Sequence, residues 1–212
     1  ARKTKKSVEL AARDERYKFY TRAKSSLNAN KIATAHNADD SLETVLFNLS
    51  RGTGLKGLCG IPAVRNDIIR PLIYINKEEI LNYLKSKNLA YVEDSSNKEH
   101  EYARNKIRHL IIPVLKSINP NTQMNSLRMM DVLRKEENYL QEQVEIYLSE
   151  YKFENNSIIY PISILNSIHP AIRRRLIVRL AGKLFNEQKN RLEFDHICDI
   201  IQLAQNKSPS VK

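Results

Sequence analysis

"KIATAHNADDSLETVLFNLSRG" runs from Lys31 to Gly52, and its hydrophobic period changes once along the way. Lys31–His36 reads as a short strand. From Ala38 onward Ala38, Leu42, Val45, Leu46 and Leu49 recur at helical spacing, which predicts a helix from about Ala38 to Leu49. Gly52 stands where a helix C-cap glycine belongs. A strand that feeds straight into a helix is the unit of α/β sheets, so this stretch sets the fold class and the flanks are read against it.

The same alternation continues downstream. "IIRPLI" (68–73) reads as a second strand, with Pro71 at an edge or strand end. "NKEEILNYLKSKN" (76–88) is a helix whose Ile80, Leu81 and Leu84 share a face and whose Asn76 can cap the start. "LAYVED" (89–94) reads as a third strand, and "HEYARNKIRHLIIPVLKSI" (100–118) as a helix bent at Pro113. Upstream, Ser7 to Leu27 forms an amphipathic helix. An α/β domain is therefore expected over 1–118. After "NPNT" (119–122) the chain turns helical and highly charged, with a polar break at "KFENNS" (152–157) and two further helices. This predicts a small all-α domain over 119–205 and a tail at 206–212.

The formal net charge of +11 and pI of 9.6 call for a polyanionic partner, nucleic acid first. Cys59 and Cys198 match no metal-ligand or redox spacing and read as reduced thiols of a cytoplasmic protein. No apolar run reaches membrane-spanning length, so no membrane partner is expected.

Four of the five glycines lie between 52 and 60, where "GTGLKG" formally matches the dinucleotide pattern G-x-G-x-x-G. That fingerprint works only after a strand and before a helix. Here the glycines follow a helix, which argues for a loop close to some other group, flanked by Arg51 and Lys56.

His36, Asp40 and Glu43 are spaced four and three apart, which places them within roughly 60° of one another on a helix beginning near Asn37. They project from the mouth of a strand-to-helix turn, where open α/β sheets place ligands. Two carboxylates at Asp40 and Glu43 suit Mg²⁺ beside nucleotide phosphates, and an imidazole suits proton transfer or substrate orientation. Acidic residues in a first helical turn also simply favour the helix dipole, and both readings stand at this point. Arg104 and Arg108 lie one turn apart, beside an apolar stripe of Ile107 and Ile111, and suit phosphate. Arg13 and Arg16 interleave with Tyr17, Phe19 and Tyr20, a pattern that can serve nucleic-acid contact. Arg173, Arg174, Arg175, Arg179 and Lys183 share a helix whose Ile172, Leu176, Leu180 and Leu184 must face the core, so the basic residues are expected outward as a ridge.

In order and separation, "HNADDSLET", "RGTGLKGL", "IIRPLI" and "DSSN…RNKIRH" resemble the tRNA(Ile)-lysidine synthetase family, strongly over about 9–120 and loosely beyond. The resemblance implies an adenine-nucleotide α-hydrolase-like, Rossmann-like domain followed by helical tRNA-gripping domains. It implies an ATP-dependent ligase that adenylates the wobble cytidine of a CAU-anticodon isoleucine tRNA and joins free lysine to it. Catalytic work would fall to His36, Asp40, Glu43, Arg104 and Arg108, and ATP and Mg²⁺ contacts to Asp39, Asp40, Glu43 and Asn105. Arg13, Arg16, Arg51, Lys56, Arg174, Arg175 and Arg179 would meet tRNA, and a homodimer is compatible with this reading. The family's pyrophosphate loop, SGG-x-DS, is not found in these residues, so an internal fragment, inactive alone, is expected. The rival readings are another pyrophosphatase-loop tRNA-modifying enzyme and a non-catalytic basic RNA-binding protein. The latter explains the charge but not the convergence of His36, Asp40 and Glu43.

Overall fold

The expected strand-to-helix unit is present in the computed structural model, which describes residues 8–92, 103–185 and 192–205. Helix α1 (Val8–Ser26) leads to strand β1 (Ile32–Ala33) and then helix α2 (Ala38–Ser50). Asn37 caps α2: its side chain accepts the Asp40 N–H at 3.0 Å, and the Asp40 carboxylate accepts the Asn37 N–H at 2.9 Å. This reciprocal box satisfies two amides that otherwise lack partners at a helix start. At the far end Gly52 adopts φ +72°, the left-handed geometry that ends a helix without a Cβ clash, and its N–H returns to the Leu49 carbonyl.

The Gly-rich stretch becomes one short helical turn, α3 (Leu55–Leu58), and no phosphate-cradling loop before a helix. Gly60, at φ +65°, lies so close to its neighbours that an added Cβ would stand 2.5 Å from both Ser41 Oγ and Met130 Sδ. Any larger residue here would push the loop off α2. Strands β2 (Val64–Arg65) and β3 (Ile68–Ile69) form a hairpin, and β3 also pairs in parallel with β1, giving the order β1-β3-β2. The predicted strand over 68–73 is thus shorter than expected, because Pro71 has no N–H to give and the chain turns through 71–74. Helix α4 (Lys77–Ser86) starts on a second reciprocal box, between Asn76 and Glu79. Residues 89–92 of the third predicted strand pair with nothing as strand, and 93–94 lie outside the described residues, as does the "EDSSN" segment.

The helix expected to bend at Pro113 bends ahead of it. Helix α5 (Ala103–Lys106) widens into a π turn over Ile107–Ile111 before α6 (Ile112–Ile118) resumes. Pro113 lacks an N–H and its ring presses on the preceding turn, and the ladder absorbs both by closing from Ile112 N–H to the Ile107 carbonyl. Ile107 and Ile112 are buried together with Leu42, Val45 and Met130, while Ile111, expected on the apolar stripe, is exposed. Five α-helical residues would put Ile107 and Ile112 about 140° apart. The wider turn brings them to one core.

Helix α7 (Thr122–Leu148) is continuous, yet the chain divides into two compact units inside it, 1–133 and 134–212, and not at 118/119. The reason is Met130, which packs into the core of the first unit under α2. In the second unit, β4 (Lys152–Glu154) and β5 (Ser157–Ile159) form an antiparallel hairpin where a mere polar break was expected, so this unit is not all-α. Its two-residue turn is Asn155-Asn156, at φ 48° and 59°, the paired left-handed geometry that tight hairpins require and asparagine tolerates. Helices α8 (Ile162–Ser167), α9 (Pro170–Leu184) and α10 (Phe194–Gln205) complete the unit around Val144, Leu165, Ile172, Leu176 and Ile197. Among the described residues, no helix is long and apolar enough to cross a membrane.

Candidate active site

A cleft of about 560 Å³ opens in the first unit, where β1 and β3 end side by side. His36, Asp40 and Glu43 line it, and so do Arg16, Arg104, Asn105 and Arg108. The structure therefore brings together Asp40 and Glu43 from α2, His36 from the connection between β1 and α2, the arginine pair from α5 and the π turn, and one arginine from α1. Tyr17 and Tyr20, in edge contact at 6.0 Å between centroids, add an aromatic wall.

The polar side chains nearest α2 are held. Thr34 Oγ1 lies 2.9 Å from His36 Nδ1, which fixes the ring plane. Glu43 is 4% exposed, and its two oxygens accept from Arg108 Nε at 2.6 Å and Nη2 at 2.9 Å. This bidentate pair joins α2 to the π turn. Asp40 sits at the edge of the same pair, its Oδ1 at 3.7 Å from Arg108 Nη2. Burial pushes the Glu43 carboxyl above its ordinary range, while Arg108 pulls it back and the neighbouring Asp40 and Asp39 raise it again. The Arg108 guanidinium is held still more firmly in its charged form by Glu43.

These commitments bear on Mg²⁺. Both Glu43 oxygens serve Arg108, and one Asp40 oxygen serves the helix cap, so the donor set does not fit a protein-held cation. No group of three or more histidine, cysteine or acidic side chains is placed for a metal among the described residues. The arginines fit phosphate or carboxylate instead.

Other expected residues lie elsewhere. Asp39 turns away from the cleft to accept the Lys77 N–H at 2.7 Å, tying α2 to the start of α4. Arg51 stacks on Phe47 at 5.2 Å, on a ring that Arg104 also approaches, at 5.8 Å. Lys56 is exposed on α3, and the Arg13 side chain lies outside the described residues.

The basic ridge of α9 is not as expected. Arg173 is buried and donates Nη2 to the Asn166 and Ile168 carbonyls at 2.8 and 3.0 Å, closing the end of α8. Arg175 reaches the buried Glu137 at 2.6 Å. Arg174, stacked on Phe194 at 4.6 Å, Arg179, paired with Glu145 at 2.9 Å, and Lys183, over the Tyr151 ring at 5.2 Å, remain on the exposed side. Four-residue apolar spacing leaves the flanks of a helix undecided, and neighbouring elements claimed those flanks.

Two cleft arginines escaped the sequence reading. Arg65 stands on β2, and Arg70 follows β3 in "IIRPLI". The signal for Arg70 was a lone charge inside an otherwise apolar run.

The chain resembles known proteins throughout its length. A family model described as the PP-loop domain matches residues 1–115. Over 212 residues the chain is 39% identical to the tRNA(Ile)-lysidine synthase of Caldanaerobacter subterraneus subsp. tengcongensis, covering 99% of this chain and 45% of the relative. A protein of the same name from Bacteroides thetaiotaomicron is 50% identical over 121 residues, 57% of this chain and 28% of the relative. One from Clostridium perfringens is 37% identical over 200 residues, 93% of this chain and 42% of the relative. The chain thus spans less than half the length of these curated relatives. With a strand-to-helix cleft built as its sequence implied and a family match over the whole of that layer, the chain belongs to the PP-loop domain family.

Proposed function

We propose that the protein is an ATP-dependent ligase that adenylates the wobble cytidine of a CAU-anticodon isoleucine tRNA and joins lysine to it through the ε-amine, forming lysidine. The observation that carries the reading is the cleft. It gathers His36, Asp40, the Glu43–Arg108 pair, Arg104 and Asn105 at the C-terminal edge of parallel strands. Similarity over 99% of this chain, and 45% of the relative, to a protein named tRNA(Ile)-lysidine synthase supports it.

ATP supplies the adenylyl group that turns the cytidine's 2-carbonyl oxygen into a leaving group. Arg104 and Asn105 are the groups that would hold its phosphates, and Arg16 would face the tRNA strand. Arg108, fixed by Glu43, presents a planar cation toward Asp40 and orients whatever anion shares that wall. His36, its ring plane set by Thr34, is placed to orient lysine or the cytidine and to accept a proton from the attacking amine. Mg²⁺ enters this reading as the counter-ion of ATP, since Asp40 and Glu43 already have partners.

The test is lysidine formation, read by mass spectrometry of the tRNA anticodon, with Asp40→Asn in the intact enzyme. The substitution should lower the chemical step by about two orders of magnitude, as for a lost electrostatic group. Near wild-type lysidine would return Asp40 to a helix-capping role. Tight tRNA binding by the wild type without any lysine-dependent ATP consumption would favour the non-catalytic RNA-binding reading.

A further inference from the structure

Among the described residues, Arg70 is a buried cation without a counter-charge. It is 5% exposed, although it stands on the wall of a cleft that already holds several arginines. Its backbone is fixed by the strand it follows, with its N–H on the Ala63 carbonyl at 2.8 Å. Among the described residues its side chain makes a single hydrogen bond, from Nη1 to the Pro62 carbonyl at 2.7 Å, and its Nε is shut off from solvent with no partner. Among the described residues no carboxylate lies within ion-pair distance of it. The contrast with Arg108, which has both Glu43 oxygens, is plain.

Burying a guanidinium is unfavourable unless an opposite charge answers it. A neutral side chain at position 70 would hold the Pro62 loop without that cost. Thr34 and Arg70 follow directly on paired strands, with the Thr34 N–H on the Ile69 carbonyl at 3.0 Å. Arg70 therefore sits at the edge where open α/β sheets receive ligands.

We propose that Arg70 is an oxyanion-binding residue of the cleft, its missing counter-charge supplied by a substrate carboxylate or phosphate. This rests on the ligase reading above for the identity of the substrates. The two sources are the α-carboxylate of lysine and a phosphate of the nucleotide.

The experiment is calorimetric titration of the wild type, R70Q and R70K with three probes: sodium pyrophosphate, lysine, and 1,5-diaminopentane, which is lysine without its carboxylate. Loss of a charge-assisted contact should weaken one anionic probe about tenfold to a hundredfold in R70Q, with partial recovery in R70K. A loss confined to pyrophosphate assigns the site to phosphate. A loss confined to lysine, with 1,5-diaminopentane unaffected, assigns it to the carboxylate. Thermal melting checks that each variant is folded, and R70K carries the test if R70Q is not. Unchanged affinity for both anions in a folded variant, or no binding of either by the wild type, overturns the proposal and leaves Arg70 as a loop staple. The titrations do not depend on turnover, so a wild type that binds pyrophosphate but makes no lysidine sinks the ligase reading alone.

Discussion

Around the cleft of the first unit, Arg16, Arg65, Arg70, Arg104 and Arg108 share their space with the two carboxylates Asp40 and Glu43. Along α9 of the second unit, Arg173, Arg174, Arg175 and Arg179 each meet a partner of their own: carbonyls, a ring, and two glutamates. The two groups look alike in sequence, as basic clusters on helices or beside strands. Among the described residues, cations outnumber anions along the concave wall of the cleft. On α9 most of the charge is spent within the fold. Basic residues become evidence of a polyanion only after their partners are counted.

The comparison breaks most sharply at Arg108. Arg108→Met would strand the buried Glu43 carboxylate and should destabilise the chain by about 2–4 kcal/mol at neutral pH. The pH dependence follows from the direction of the Glu43 shift. Its folded pKa lies above the ordinary value of 4.5, so its contribution to stability is complete below that value and is lost as pH rises through the raised one. Without Arg108 the pKa rises further, and the loss deepens and extends to higher pH. Denaturant unfolding at about pH 4 and pH 7 should show the variant nearly as stable as wild type at the lower pH and much weaker at the higher. An equal deficit at both would mean that packing, and not charge, is what Arg108 supplies.

Arg175 gives the next largest effect, of another kind. Arg175→Ala leaves Glu137 buried with only the Gln141 amide at 2.9 Å, and should cost about 2–3 kcal/mol. Glu137→Gln should restore part of the loss. The salt dependence of tRNA binding should not move, whereas Arg16→Ala and Arg65→Ala should each flatten the log–log slope by a little under one. A slope that flattens with Arg175→Ala would put α9 back among the phosphate contacts.

The smallest effect tests the hairpin of the second unit. Asn155→Ala or Asn156→Ala should each cost about 1 kcal/mol, because alanine resists positive φ. Asn156→Gly should be neutral or slightly stabilising in a thermal melt. Indifference to all three would mean the turn geometry is imposed by the strands alone.

Much of this was legible in the residues. The change of period at Ala38, the capping Asn76 and the left-handed Gly52 are local features, decided within a few positions, and the structure has them. So is the shared face of Asp40 and Glu43, which needs only helical geometry, whereas His36 joins them from the connection ahead of the helix. Most of the failures are non-local. Glu137 lies far along the chain from Arg175, and Glu43 from Arg108, so no window of sequence shows that these charges meet. Asp39 looked equivalent to Asp40 until α4 arrived to take its carboxylate. The Asn155-Asn156 turn was a local signal that was present and misread, its flanks too short and polar to suggest strands.

The π turn also sets a rule of length. Removing one residue between Arg108 and Ile111 would let the helix close as an ordinary α-helix, and the part before the cut would rotate by about 100° relative to Pro113. Arg104, Asn105 and whatever remained of the 107–111 turn would swing off the wall that faces Asp40 and Glu43, while the hydropathy of the segment barely changed. A deletion that any composition-based comparison would overlook would thus dismantle one side of the cleft. At this point the chain's chemistry depends on how many residues there are as much as on which.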